Sequence, residues 1–181
     1  MSFSKAIAAI AAISLTSVPA MAANFGADGK YNFSGPVSIV KSLPSALPCD
    51  LDIEIEVSNS GADVVLSKAV LNGVFVCNSL LFPNLPNNIS AVGLGGGAFE
   101  VTVSGVRVAI PPIGALAADA CEGDLKFILI SGSSSPSVPA EIILQYPLSV
   151  IDDDPGLGLP TECIIEGDLD QDPAESPLIV S

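Results

Sequence analysis

The sequence predicts an all-β fold, an antiparallel sandwich or open barrel of about seven to nine short strands. Three observations predict it. From Cys49 to Val57 the chain alternates without a slip: Leu51, Ile53, Ile55 and Val57 fall on one side, Asp50, Asp52, Glu54 and Glu56 on the other. A period of two marks a strand with one face in a core and one in water. Turn residues then recur at strand-length intervals, in Ser58–Asp63, Gly93–Gly97, Ser131–Ser137 and Asp152–Gly156, with almost no helical pattern between them. Finally, the order cysteine–strand–turn–strand–cysteine occurs twice, once over Cys49–Cys77 and again, as a faint echo, over Cys121–Cys163.

Residues 1–22 have a lysine in a short polar start, an Ala/Ile/Leu-rich middle and an Ala20-Met21-Ala22 ending. That is the pattern of a cleaved secretory signal peptide, too short and wrongly flanked for a transmembrane anchor. Residues 23–168 are then expected to form a single β domain. The first stretch, 23–30, reads as a polar leader. Tyr31 and Phe33 share one face of the first strand, and Gly35-Pro36 marks a bulge or an edge position. The arms Cys49–Val57 and Val64 onward form a hairpin. Residues 78–90 hold two prolines and four asparagines and read as an irregular loop with apolar anchors, and Gly93–Gly97 as a flexible hinge. Phe99, Val101 and Val103 alternate again and change phase after Gly105 to Val106, Val108 and Ile110. Residues 113–120 alone lean towards helix. A strand from Cys121 and another from Glu141 make up the second unit, and Cys163 opens the last strand. Residues 169–181, acidic and proline-broken, read as a tail disordered apart from its last apolar residues.

All four cysteines, Cys49, Cys77, Cys121 and Cys163, lie in the exported part. An even number in a secreted chain reads as two disulfides with three possible connectivities. The echo favours Cys49–Cys77 with Cys121–Cys163. Five basic residues stand against 20 acidic ones after residue 22, a net charge of −15. Nucleic acid and anionic lipid both require a basic face, so neither is an expected partner. An integral outer-membrane barrel is disfavoured too, because there is no Trp and only two Tyr to build aromatic girdles.

No reactive constellation emerges, and the expectation is a non-enzyme without cofactor or metal. The chain has no histidine, which removes the usual general base and metal ligand. Ser38-Ile39-Val40-Lys41 fits S-x-x-K, but on a strand its serine and lysine face opposite sides. Asp168–Asp172 starts like a calcium loop, yet its sixth position is Pro173 and its twelfth Ile179. The acid row Asp50, Asp52, Glu54 and Glu56 reads as a solvated face that keeps a strand edge from pairing with other chains. Gly93–Gly97 lacks the strand–turn–helix setting of a dinucleotide site, and Asn88-Ile89-Ser90 matches a glycosylation acceptor by a triplet common by chance.

Four segments carry a family likeness: FSGPVSIVKS leading into CDLDIEIEV, AVLNGVFVCNSLLFPNLPNNISAVG, VAIPPIG ahead of ACEGDL, and PTECIIEGDL. In cysteine placement, strand order and the CxLL…NLP segment the chain resembles the secreted alkane-oxidation protein activators of the PraB type. The acidic tail and the acid row depart from that pattern. The resemblance implies an exported, non-catalytic protein of a bacterium, in the periplasm, at the cell surface or in the extracellular matrix, that assists growth on alkanes. Its partners would be a hydrophobic substrate, matrix or cell-surface components. The apolar contact surface expected from the proline-rich loop is Leu80, Leu81, Phe82 and Leu85, joined by Ile110, Ile113 and Leu116. The competing class is a self-associating subunit of a surface fibre or biofilm matrix, built by strand addition.

Overall fold

The computed structural model describes residues 23–40, 46–112, 119–134, 137–144, 147–148 and 163–181. In chain order the elements are β1 (Gly29–Val40), β2 (Leu47–Ser58), β3 (Asp63–Gly73), α1 (Phe75–Ser79), β4 (Asn87–Gly95), β5 (Ala98–Ile110), β6 (Asp119–Ile130), β7 (Ser133–Ser134), β8 (Ser137–Val138), β9 (Glu141–Leu144), β10 (Pro147–Leu148) and β11 (Cys163–Gln171). Each long strand lies antiparallel beside the next, and β11 returns to pair with β1 from Phe33↔Gln171 to Val40↔Ile164. The sheet therefore closes into a barrel in the order β1-β2-β3-β4-β5-β6-β9-β11. Of the two all-β layouts the sequence allows, this is the barrel, with closure added. The small β7–β8 hairpin stands apart from it.

The alternation that marks β2 decides which way the wall faces. Leu51, Ile53, Ile55 and Val57 are buried, and the acids between them turn outward. Phe33, Leu66, Leu71, Phe127, Leu129, Ile142 and Leu169 come in from the other strands, so side chains fill the lumen, as expected for eight strands. Charge outside and apolar side chains inside is the inverse of a lipid-spanning barrel. Among the described residues no helix is long and apolar enough to cross a membrane. The phase change at Gly105 is a register shift between Val103 and Val106, with Gly105 at φ 65°.

Closure rests on a close approach. A Cβ on Gly35 would collide with the Asp168 carbonyl oxygen, and one on Gly167 with that of Pro36. Gly35-Pro36 is thus neither a bulge nor an edge. Its register with β2 runs on unshifted, while the ladder to β11 skips those two residues, where proline has no N–H to give.

Both disulfides have the favoured connectivity, Cys49–Cys77 and Cys121–Cys163, with Cα–Cα separations of 5.8 and 6.1 Å, inside the usual range. All four cysteines are buried near one rim of the barrel. Termini and turns corresponding to Ser58–Asp63 and Gly95–Ala98 occupy the other.

Three expectations are corrected here. Gly93–Gly97 is not a hinge but the tip of the β4–β5 hairpin, with Gly95, Gly96 and Gly97 all at positive φ, the conformation glycine supplies without strain. The leader is not merely polar: Phe25 is buried and pairs with Val180. The 169–181 segment is not disordered. β11 runs to Gln171, and the chain turns back to seat Leu178 and Val180 in the core. The physical reason is Gln171, a buried amide whose Oε1 accepts from Leu178 N at 2.9 Å and Ala140 N at 3.1 Å. Its Nε2 donates to Ser176 O at 2.8 Å. Glu175 adds a carboxylate that accepts from Asn32 N at 2.8 Å. Residues 1–22, with the expected signal peptide, residues 113–118 of the stretch 113–120 expected to lean towards helix, Lys41, and Asp152–Asp154 lie outside the described residues, while Asp119 and Ala120 of that stretch begin β6.

Candidate functional site

Two faces of the barrel differ sharply in chemistry. The first spans β11, β1 and β2, where Glu166, Asp168 and Asp170 join Asp50, Asp52, Glu54 and Glu56 on the outside. A groove of about 470 Å³ crosses it, lined among others by Asn32, Ser34, Asp52, Lys68, Asp170 and Asp172. Its walls are strand surface open to water, and among the described residues no group of three or more His, Cys, Asp or Glu is placed to hold a metal ion.

Part of the acid row is neutralised locally. Lys30 Nζ donates to Glu54 Oε1 at 2.8 Å and reaches Glu56 Oε2 at 3.8 Å, and Ser67 Oγ donates to Glu54 Oε1 at 2.7 Å. These bonds, Lys30 foremost, hold the Glu54 carboxyl below its ordinary value of 4.5, while the Glu54 hydrogen bond holds the Lys30 ammonium above 10.5. For a depressed acid the stabilisation is complete above the ordinary value and disappears as pH falls through the folded one. Thermal melts should therefore show a small acid-side loss below pH 4.5 that Glu54→Gln removes. The change is a few degrees at most, because the pair is solvent-screened. Identical acid limbs in both proteins would reject that assignment.

The second face runs from the end of β3 through α1 to the β4–β5 hairpin. Between Lys68 and Glu100 the chain has no Asp, Glu, Lys or Arg. Six large hydrophobic side chains exposed on the described protein belong to it: Val70, Val74, Phe75, Leu81, Val92 and Leu94. The local structure explains why they stay out. In α1 only Cys77 is buried, held by its bond to Cys49. Successive helical residues turn by about 100°, so a residue two places before Cys77 points nearly opposite to it. Phe75 is accordingly 75% exposed. Leu80, three residues after Cys77, falls back inside, and Leu81 turns out, 58% exposed. Two backbone hydrogen bonds pin Leu81 to Ala109 of β5, at 3.1 and 2.8 Å. The following loop runs along β5 as well, with Asn84 Oδ1 accepting from Arg107 N at 3.0 Å and Asn87 Nδ2 donating to Ser104 O at 2.9 Å.

Set against the expected contact surface, the geometry is selective. Leu81 is exposed. Leu80 is buried, a correction, because it shares the inward side of α1 with Cys77. Phe82, Leu85 and Ile110 are half-buried and pack on the core, so they border the surface rather than form it. Ile113 and Leu116 lie outside the described residues. Sequence reasoning missed Val70, Val74, Phe75, Val92 and Leu94. The run of residues 69–99 without a charge, in a chain of net charge −14, was the signal that could have found them.

Fold and surface together define a class: a disulfide-stapled, closed β-barrel with a filled lumen, acidic on one side and with exposed apolar side chains from a charge-free run on another. The family described as alkane oxidation protein activator PraA/PraB-like matches residues 1–176, and the chain belongs to that family. Comparison with curated proteins found no match, and comparison with solved structures found none either.

Proposed function

We propose that this protein is an exported, non-catalytic activator that assists growth on alkanes, working through its surface at the outside of the cell or in the surrounding matrix. The observation that carries the reading is the family match across residues 1–176. The barrel is consistent with it. Packed side chains fill the lumen, and the charged groups of β2 and β11 point into water rather than into a closed cleft, a poor setting for tuned acid–base chemistry. Two covalent cross-links suit a protein that leaves the cytoplasm.

The test is growth of a deletion strain on hexadecane and on succinate. A defect confined to hexadecane, restored by the intact gene, is the expected result. An equal defect on both carbon sources, or none on either, would remove the alkane link. Filaments on wild-type cells that vanish in the deletion strain would favour the fibre-subunit class instead.

A further inference from the structure

We propose that the uncharged sector, from the end of β3 through α1 to the β4–β5 hairpin, is the surface by which the protein adsorbs to a neutral hydrocarbon–water interface, while the acid-lined β11–β1–β2 sector stays in water. This rests on the alkane-growth reading above and adds to it the place and the physical state of the hydrocarbon. The two sectors meet along the β2–β3 ladder, where Val70 lies opposite Asp52, and are farthest apart at β4, three strands from β1 in the barrel order. Six exposed large hydrophobics fall within residues 69–99, a run with no charge of its own, flanked on the neighbouring strands by Asp52 opposite Val70 and Glu100 opposite Val92. Moving even one ionised group into such a medium is costly, so the contact falls on the side chains that no carboxylate opposes in the ladders, Val74, Phe75, Leu81 and Leu94.

Charge selects among occupants. An anionic lipid surface would need lysines or arginines to meet its phosphates, and none lies between Lys68 and Glu100. A single alkane chain carried inside the barrel is opposed by Phe33, Phe127, Leu129 and Leu169, which already fill the lumen. A second protein copy would require a compact, shape-matched core with polar groups to fix its register. Here the apolar tips are spread along the barrel instead. Phe75 and Leu81 stand near the disulfide rim, and Leu94 near the opposite one, on the β4–β5 hairpin. A liquid surface needs no shape match, only apolar side chains held outward. The Cys49–Cys77 bond and the Leu81–Ala109 hydrogen bonds hold them so.

The experiment is partition of the purified, disulfide-intact exported protein into a hexadecane emulsion, read as depletion from the aqueous phase. Phe75→Asp, Leu81→Asp and Leu94→Asp are compared with Val138→Asp and Ile179→Asp, which place the same charge at exposed hydrophobic sites outside the uncharged run. Unchanged denaturant midpoints establish that each variant is folded. The first three should adsorb at least about tenfold less, since each would carry a charge to the oil surface, and the last two as wild type. Wild-type adsorption by the first three, or equal loss by all five, overturns the proposal. So does binding of anionic phosphatidylglycerol vesicles as strongly as hexadecane, or a wild-type dimer that Phe75→Asp dissociates, which would assign the face to a second copy. If Phe75→Asp loses adsorption in vitro yet fully restores hexadecane growth to the deletion strain, adsorption by this face is not how the protein acts, and the growth reading itself stands.

Discussion

Replacing Cys121 and Cys163 together by serine is expected to lower stability by about 4 kcal/mol, from the entropy of the loop the bond closes. The sequence separation of the two is 42 residues, against 28 for Cys49 and Cys77, whose loss should cost about 3.6 kcal/mol on the same basis. A second reason to expect the larger effect lies in the wall. β9 hydrogen-bonds β6 only over Glu141–Ile143, although its continuation β10 stays paired with β11 through Leu148↔Cys163. Towards the disulfide rim, β6 and β11 are therefore joined by the covalent bond where the described ladder to β6 has ended. Removing it both frees the unfolded chain and weakens the closed state. Urea unfolding of the oxidised wild type and the two double-serine variants checks this. A loss below about 1 kcal/mol for Cys121→Ser/Cys163→Ser would mean that the rest of the wall closes the barrel unaided.

Much of that architecture is legible in the residues. The strict alternation in β2 and the resumed alternation across Gly105 in β5 fix which side chains face the core, because a one-residue slip would turn every acid inward. The cysteine echo picks the right pairing out of three, since each unit is a local excursion whose ends return to one rim. Closure is less visible. Pairing β1 with β11 brings together residues more than a hundred positions apart, and nothing in either strand alone announces the partner. Only the glycines at 35 and 167, needed for two backbones to approach, hint at it, and Gly35 with Pro36 reads in sequence as an edge or a bulge.

The candidate surface was half legible. Leu80 and Leu81 are chemically equivalent neighbours, and the proline-rich loop offers no period to separate them. What separates them is Cys77, which turns one side of a single helical turn inward by a bond to a strand 28 residues away. Composition was the better guide than periodicity here. A long neutral run in an acidic chain marks where exposed apolar side chains gather, whereas alternation only distinguishes inside from outside. The same reasoning explains the misread tail. Aspartate, proline and serine dilute Leu178 and Val180 below any hydrophobic threshold, so the segment scores as solvated. Its order comes from one amide, Gln171, which takes an inward position of β11 two residues after Leu169 where the pattern would call for an apolar side chain.

That amide supplies the second large effect. Gln171→Leu is expected to cost about 3 kcal/mol, because the N–H groups of Ala140 and Leu178 each lose their acceptor in a site without water access. Gln171 is only 2% exposed, and leucine fills a similar volume, so the loss reports hydrogen bonding and not a cavity. The consequence should spread to both ends of the chain. Leu178 and Val180 are seated by the turn that Gln171 holds, and Val180 in turn pairs with Phe25, with Asn24 N donating to Ser181 O at 2.7 Å and Gly26 N to Ile179 O at 2.8 Å. Hydrogen exchange should then accelerate at Asn24, Gly26, Leu178 and Ser181, while β5 and β6 keep their protection relative to the lowered global stability. Gln171→Glu separates the two halves of the network. It retains acceptors for both N–H groups but loses the donor to Ser176 O, so its defect should be smaller in acid, where a protonated carboxyl can donate again. Equal exchange at the termini in wild type and Gln171→Leu would show that Leu178 and Val180 are held by apolar burial alone.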